Sequence, residues 1–341
     1  MSTAVSGAGS GARGHRIGIV GLGAVGGHFA AQLAAAGHEV SALATSSSLA
    51  ALRAHGLRHR SLDLPEKIYR INVCATAEEM GRQDLVILAL KAQVLPSVAA
   101  SLKPLMGAET VLLPVGNGLP WWYFLVEGVP LAGTRLTSVD PDRAIERALP
   151  IGRVLGASFM GSCHSPAPGV VVHVSGGKVT LGEPGGGTSE RASYWTSVLT
   201  EAGLPTTEVH NIREALWLKL LGNIGSNPIS LLTGTTTDRI VDDGLVRTVF
   251  QGVMQECLDV GKAIGLALDI SVVDRIAQTR ALGSIKSSML QDLEAGRSVE
   301  LDAIVRAPME CATALGMEVP FMQAIFGLAR LRAQALDLYP A

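Results

Sequence analysis

The chain is short of the residues on which several protein classes depend. Among its 341 residues there are only four cysteines, and only 17% of the residues are charged. Cys74, Cys163, Cys257 and Cys311 lie far apart, with no CxxC pair and no metal-ligand spacing. Neither a disulfide scaffold nor a zinc module is therefore expected, and the four read as reduced, buried small residues. No run approaches the ~18 consecutive apolar residues of a membrane span. A formal net charge of −2 supplies no global field for nucleic acid or an anionic membrane. The eight histidines are scattered without ligand spacing, and His28 and His173 read as packing or surface residues. Residues 1–14 are rich in Gly, Ser and Ala, lack the apolar core of a secretory signal and read as a disordered tail. A cytoplasmic protein with no nucleic-acid or membrane partner is expected.

What is abundant is apolar: 48% of residues are hydrophobic, as in a well-buried globular protein. The length suits two domains at about 100–200 residues each. In the first half, residues 16–20 form a short apolar run that leads directly into Gly21-Leu22-Gly23-Ala24-Val25-Gly26. A small-residue helix pattern follows and closes at Gly37, and residues 39–44 read as a second strand. Strand, GxGxxG, helix, strand is the setting in which this motif indicates dinucleotide binding. Gly21 makes the tight turn, Gly23 lets the backbone approach a pyrophosphate, and Gly26 lets helix and strand pack closely. The helix N-terminus then offers amide donors to the phosphates.

An NAD enzyme commonly carries a carboxylate at the end of the second strand for the ribose 2′-hydroxyl. Here that position reads Ala44-Thr45-Ser46-Ser47-Ser48, and Glu39 comes too early. A hydroxyl cluster at Thr45 and Ser46, with no acid to repel a 2′-phosphate, favours NADP and leaves NAD open. Arg53 or Arg58 could reach in. Residues 84–90 and 110–115 are further buried strands. Lys91, at the end of the first, is either a cofactor-edge residue or an exposed strand-end lysine. Asn117, between two glycines after the second, either meets the nicotinamide and substrate or sits in a plain turn. Residues 154–182 alternate around Gly176-Gly177 and read as a hairpin extending the same sheet. A helix at 189–202 and a strand near 205–209 complete a nucleotide domain over residues 15–208.

From residue 209 to 341 strand signals nearly vanish. Helices are expected over 211–224, 242–264, 273–283, 298–315 and 320–338, giving a helical domain whose cleft against the first would hold the active site. Lys219, Asn223 and Asn227 are spaced i, i+4, i+8 and share one helical face. Pro228 is expected to stop the helix there. A cation and two amides among leucines are costly to bury without a polar ligand, although an exposed polar stripe would look the same. Ser288 is either a site hydroxyl or an ordinary loop residue. Glu300, placed in the first turn of a helix opening after Ser298, is either a site carboxylate or a cap favoured by the helix dipole.

These motifs, namely Gly21-x-Gly23-x-x-Gly26, Lys91-Ala92, Asn117-Gly118, Ile212-Arg213 with Trp217-x-Lys219-Leu220-x-x-Asn223, Asn227-Pro228 and Ser287-Ser288-Met289-Leu290-Gln291-Asp292 with Glu300, together resemble the ketopantoate reductase (2-dehydropantoate 2-reductase) family. The resemblance covers essentially the whole chain after the N-terminal tail. It implies a Rossmann domain followed by a helical domain similar to the C-terminal part of 6-phosphogluconate dehydrogenase. It also implies NADPH-dependent reduction of ketopantoate to D-pantoate, toward pantothenate and coenzyme A. By the same resemblance Lys219 is the catalytic acid, Asn223 and Asn227 sit in the substrate pocket, and Asn117 lies between nicotinamide and substrate. Ser288 meets the substrate, and Glu300 contacts it or supports Lys219. The chemistry agrees: reduction of a 2-oxo group develops alkoxide charge, which Lys219 can stabilise and protonate without a metal.

Three positions depart from the family pattern. Thr45 stands where an arginine for the 2′-phosphate is common, and Ile285 and Thr237 each stand in place of an asparagine. Losing two amides makes the pocket more apolar, so a bulkier 2-oxo or 2-hydroxy acid is the rival substrate. The aromatic run Trp121-Trp122-Tyr123-Phe124 either lines such a site or forms an interdomain plug. A non-catalytic dinucleotide sensor is the rival from another class. The expected partners are a small 2-oxo acid and, as an open option, a second copy of the chain in a homodimer.

Overall fold

The computed structural model describes residues 14–62 and 64–340, without the side chains of Ser46 and Ser47. Residues 1–13 of the expected tail lie outside the described residues. Five strands form a parallel sheet: β1 (Arg16–Val20), β2 (Glu39–Leu43), β5 (Asn72–Cys74), β6 (Leu85–Leu88) and β7 (Val111–Pro114), in the order β5-β2-β1-β6-β7. The strands are apolar on both faces because both faces are covered. Ile17, Ile19, Leu85, Ile87, Val111 and Leu113 face the helix Ala24–Ala35 through Phe29 and Leu33. Val86, Leu88 and Leu112 alternate to the other face and join a core that runs on into the second half of the chain.

A second sheet comprises β3 (Leu57–Ser61), β4 (Lys67–Tyr69), β8 (Gly156–Ala167), β9 (Val170–Gly182) and β10 (Thr206–Glu208), in the order β10-β9-β3-β4 with β8 beside β9. The β8–β9 hairpin therefore does not extend the first sheet, as its alternation suggested; a lone bridge, Leu112 to Val154, links the two. Nor is Gly176-Gly177 its turn. Both glycines lie inside β9 with positive φ (72° and 120°), at a register shift against Met160 and Gly161. A glycine pair that tolerates φ > 0 serves a bulge as readily as a turn, and the sequence pattern does not separate the two.

Beyond β10 all regular elements among the described residues are helical. The long helix Ile212–Thr233 does not stop at Pro228. An internal proline costs about 3 kcal/mol through one lost hydrogen bond and a clash. Burial outweighs that cost here, since residues 224–231 are all buried and Gly225 admits the ring of Phe250. The helix expected over 242–264 runs as Gly244–Ala263, capped by the Asp243 carboxylate, which accepts from the amides of Leu245 and Val246; a short helix, Thr237–Asp242, precedes it. The expected helix from 298 begins at Leu301 instead, runs through a π turn at Asp302–Arg306, and continues as Ala307–Ala314. Within the described residues no helix is long and apolar enough to cross a membrane.

Candidate active site

The glycine-rich turn has the geometry that its three roles require. Gly21 has φ +100°, which a residue with a side chain rarely adopts. At Gly26 a Cβ would collide with the carbonyl oxygen of Gly21, so close helix–strand packing demands glycine. At Gly23 a Cβ would meet nothing within 4 Å. That glycine keeps open a space next to the N-terminus of the helix Ala24–Ala35, whose first amides receive no side-chain cap. Leu22, Ala24 and Val25 complete this rim. A phosphate of a dinucleotide fits such a cradle.

At the end of β2, Thr45 is the N-cap residue of the helix Ser46–His55, and its hydroxyl lies 3.1 Å from that of Ser48. No carboxylate occupies this strand end. Neither arginine is simply available there: Arg58 pairs with Glu66 through both Nε and Nη2, and Arg53 donates to the Val73 carbonyl.

Lys219, Asn223 and Asn227 do share one face of the long helix. Lys219 is half-buried, and its ammonium makes no hydrogen bond or ion pair with any described residue. Burial pushes its pKa down to about 8, against the opposing pull of Glu300. Asn227 is 2% exposed, and its amide is 3.5 Å from the Ser288 hydroxyl, a long contact. Asn223 is half-buried and makes no hydrogen bond with the described protein.

Glu300 does not cap its helix. It immediately precedes Leu301, and its carboxylate points across the cleft, accepting from the amide of Ala92 (3.1 Å) and from Asn117 Nδ2 (3.3 Å). Burial raises its pKa, while those two donors and Lys91 work against the rise. Asn117 is thus a bridge between the halves rather than a free turn residue. Lys91 is neither free nor merely exposed. It donates to the carbonyl of Ser298 (2.6 Å) and pairs with Asp292 (2.7 Å), which also holds Arg297.

The residues that the sequence left without roles were therefore Ala92, Asp292 and Ser298, all in the clasp between the halves. Ala92 and Asp292 stood in the quoted motifs without a role, and Ser298 only marked an expected helix start. The aromatic run is buried, and Trp121 and Trp122 also line a cavity shared with Ala92 and Asn117. Trp122, Tyr123 and Phe124 are wholly buried, and the Tyr123 hydroxyl donates to the Arg213 carbonyl. Thr237 turns its hydroxyl to the carbonyls of Gly283 and Ile285. His28 stacks on His173 with ring centroids 4.6 Å apart, and its Nδ1 lies 3.0 Å from His59 Nε2.

Two family models match the chain: ketopantoate reductase PanE/ApbA over residues 17–186, and its C-terminal counterpart over residues 211–333. The chain belongs to the ketopantoate reductase family. A 2-dehydropantoate 2-reductase of Mesorhizobium japonicum is 40% identical over 95% of this chain and 99% of its own. Among solved structures, a candidate ketopantoate reductase of Ralstonia solanacearum superposes with a TM-score of 0.92 at 40% identity, covering 95% of this chain and 99% of that one. A D-mandelate dehydrogenase with NADH superposes at 0.82 and 22% identity, over 94% and 99%, which shows a shared fold alone. Membership makes the protein a nicotinamide-dependent oxidoreductase of a small keto acid, with a Rossmann-like half and a helical half.

Proposed function

We propose that the protein reduces ketopantoate to D-pantoate with NADPH, in the cytoplasm, with Lys219 as general acid. We divide it into a nucleotide domain over residues 15–208 and a substrate domain over 209–341. The observation that carries the reading is the Lys219 ammonium, which has no hydrogen-bond or ion-pair partner among the described residues, whereas Lys91, Asn117 and Glu300 are all engaged. It faces the same space as Asn223 and the donors that hold Glu300. Gly21, Gly23 and Gly26 would hold the pyrophosphate, the hydroxyls of Thr45 and Ser46 the 2′-phosphate, and Lys91 and Asn117 the nicotinamide end. The bound cofactor supplies a hydride to the keto carbon. Lys219 stabilises the developing alkoxide and gives it a proton, which a pKa near 8 makes efficient close to neutral pH. Glu300 keeps Lys219 protonated through its charge, and Asn117 and the Ala92 amide hold that carboxylate in place. Asn223, Asn227 and Ser288 line the remainder of the pocket with neutral donors and acceptors.

A bulkier 2-oxo acid is the second reading, favoured by the side chain at Ile285 and by Thr237, whose hydroxyl is engaged by backbone. Oxidation of NADPH and NADH with ketopantoate, side by side with a panel of larger 2-oxo acids, separates the two. A best kcat/KM for ketopantoate with NADPH is expected. Tight NADPH binding without turnover of any member of the panel would leave a dinucleotide sensor instead.

A further inference from the structure

Five arginines of this protein take a carboxylate through the edge formed by Nε and Nη2. Arg58 does so with Glu66, Arg135 and Arg143 with Glu146, Arg191 with Glu183, and Arg280 with Asp242. Arg275, in the helix Val272–Ala281, is different. Its Nη1 donates to Gln278, its Nε is buried without a partner, and its Nη2 makes no hydrogen bond to the described protein. No carboxylate among the described residues forms an ion pair with it, and burial lowers its pKa. Asp274, its neighbour in sequence, is taken by Ser271. Arg213 also lacks a carboxylate, but it is sealed in the core over the ring of Tyr123.

The position of Arg275 gives this vacancy a direction. Its Nη2 presses on Gly222, where a Cβ would collide with it. Gly222 is three residues beyond Lys219, and residues so spaced lie about 5–6 Å apart on a helix surface. At about 100° per residue, Gly222 falls about 60° to one side of Lys219, while Asn223 and Asn227 fall about 40° and 80° to the other. The helix thus offers a cation in the middle, a guanidinium on one flank and neutral amides on the opposite flank. A 2-oxo acid carries its anion on the atom next to the keto carbon, and guanidinium is the side chain best matched to a carboxylate.

Resting on the proposed function, we infer that Arg275 binds the substrate carboxylate through Nη2 while Lys219 takes the keto oxygen, with Gly222 keeping the space between them free of a side chain. Arg275 then orients the substrate, and the amide flank receives the remainder of the molecule. It acts in binding and performs no proton transfer.

The test is steady-state kinetics of Arg275→Gln and Gly222→Ala, with NADPH and either ketopantoate or its methyl ester. Removing a charge-assisted hydrogen bond should raise KM for the acid about ten- to a hundredfold, with kcat changed far less and NADPH affinity unchanged. The ester, which carries no anion, should be reduced equally by wild type and Arg275→Gln. Gly222→Ala retains the arginine but displaces it, and should raise KM for the acid in the same direction. An unchanged KM for the acid in Arg275→Gln would overturn the inference. So would equal losses for acid and ester, which would mark Arg275 as a structural clamp. Absence of wild-type turnover with any 2-oxo acid would instead remove the proposed function, and the inference with it.

Discussion

Two regions of this protein gather ionisable side chains in partly or fully buried surroundings, and they behave in opposite ways. In the cleft, the charge of Glu300 acts on Lys219, whose ammonium has no hydrogen-bond or ion-pair partner among the described residues. The pull of Glu300 partly offsets the effect of burial on Lys219, and the donors around Glu300 do the same for its carboxylate. At the back of the glycine-rich helix, His28 stacks on His173 and shares a hydrogen bond with His59. Burial and the neighbouring histidines all push His28 the same way, down to about 3. Residue type alone does not separate a site from a packed cluster. The separating feature is opposition: a charge that burial disfavours and a neighbouring charge retains is poised to meet a ligand.

The strongest way to break this contrast is Lys219→Ala. Removing the proposed acid should lower kcat by roughly 10²-fold or more while leaving NADPH affinity unchanged, because the glycine turn is untouched. Stopped-flow turnover together with cofactor titration checks both parts. A retained kcat would make the lysine as structural as the histidines.

The histidine cluster predicts an effect on stability alone. The folded His28 pKa of about 3 lies below the ordinary histidine value of 6.5, so folding disfavours the protonated form. The unfolded chain then binds the extra proton as pH falls through about 6.5, and the folded chain does not until about 3. Stability should therefore be full above that window and lost progressively within it, on the order of a few kcal/mol for a shift of this size. Urea midpoints across pH should fall less steeply for His28→Phe than for wild type, even if the variant begins less stable at neutral pH through the lost bond to His59. Parallel slopes for the two proteins would show that His28 does not carry the effect.

The contrast was only partly legible in the sequence. The glycine turn and the stripe of Lys219, Asn223 and Asn227 could be read because each is local: a fixed spacing on one element fixes which side chains share a face. The clasp could not, because Lys91 meets Ser298 across a separation of 207 residues and Ala92 meets Glu300 across 208. No periodicity encodes such pairs. The same limit hid Arg275 against Gly222, since a glycine within a helix gives no sign of which side chain it admits. Pro228 misled for the opposite reason. Its local signal is strong, and tertiary burial overrode it.

Glu300→Gln sharpens the comparison with the smallest expected change. The protonated fraction of Lys219 falls above its pKa of about 8, so kcat in the reducing direction should decline on the alkaline side of that value. The Glu300 charge raises that pKa, and glutamine removes the charge while preserving the side chain's shape and a carbonyl acceptor for the Ala92 amide. The alkaline limb should therefore move to lower pH, with a modest loss of kcat at pH 7 and a larger one at pH 8. A purely positional role for Glu300 would lower kcat equally at all pH values and leave the limb in place. The pH profile therefore separates a carboxylate that tunes its lysine from one that merely joins the two halves.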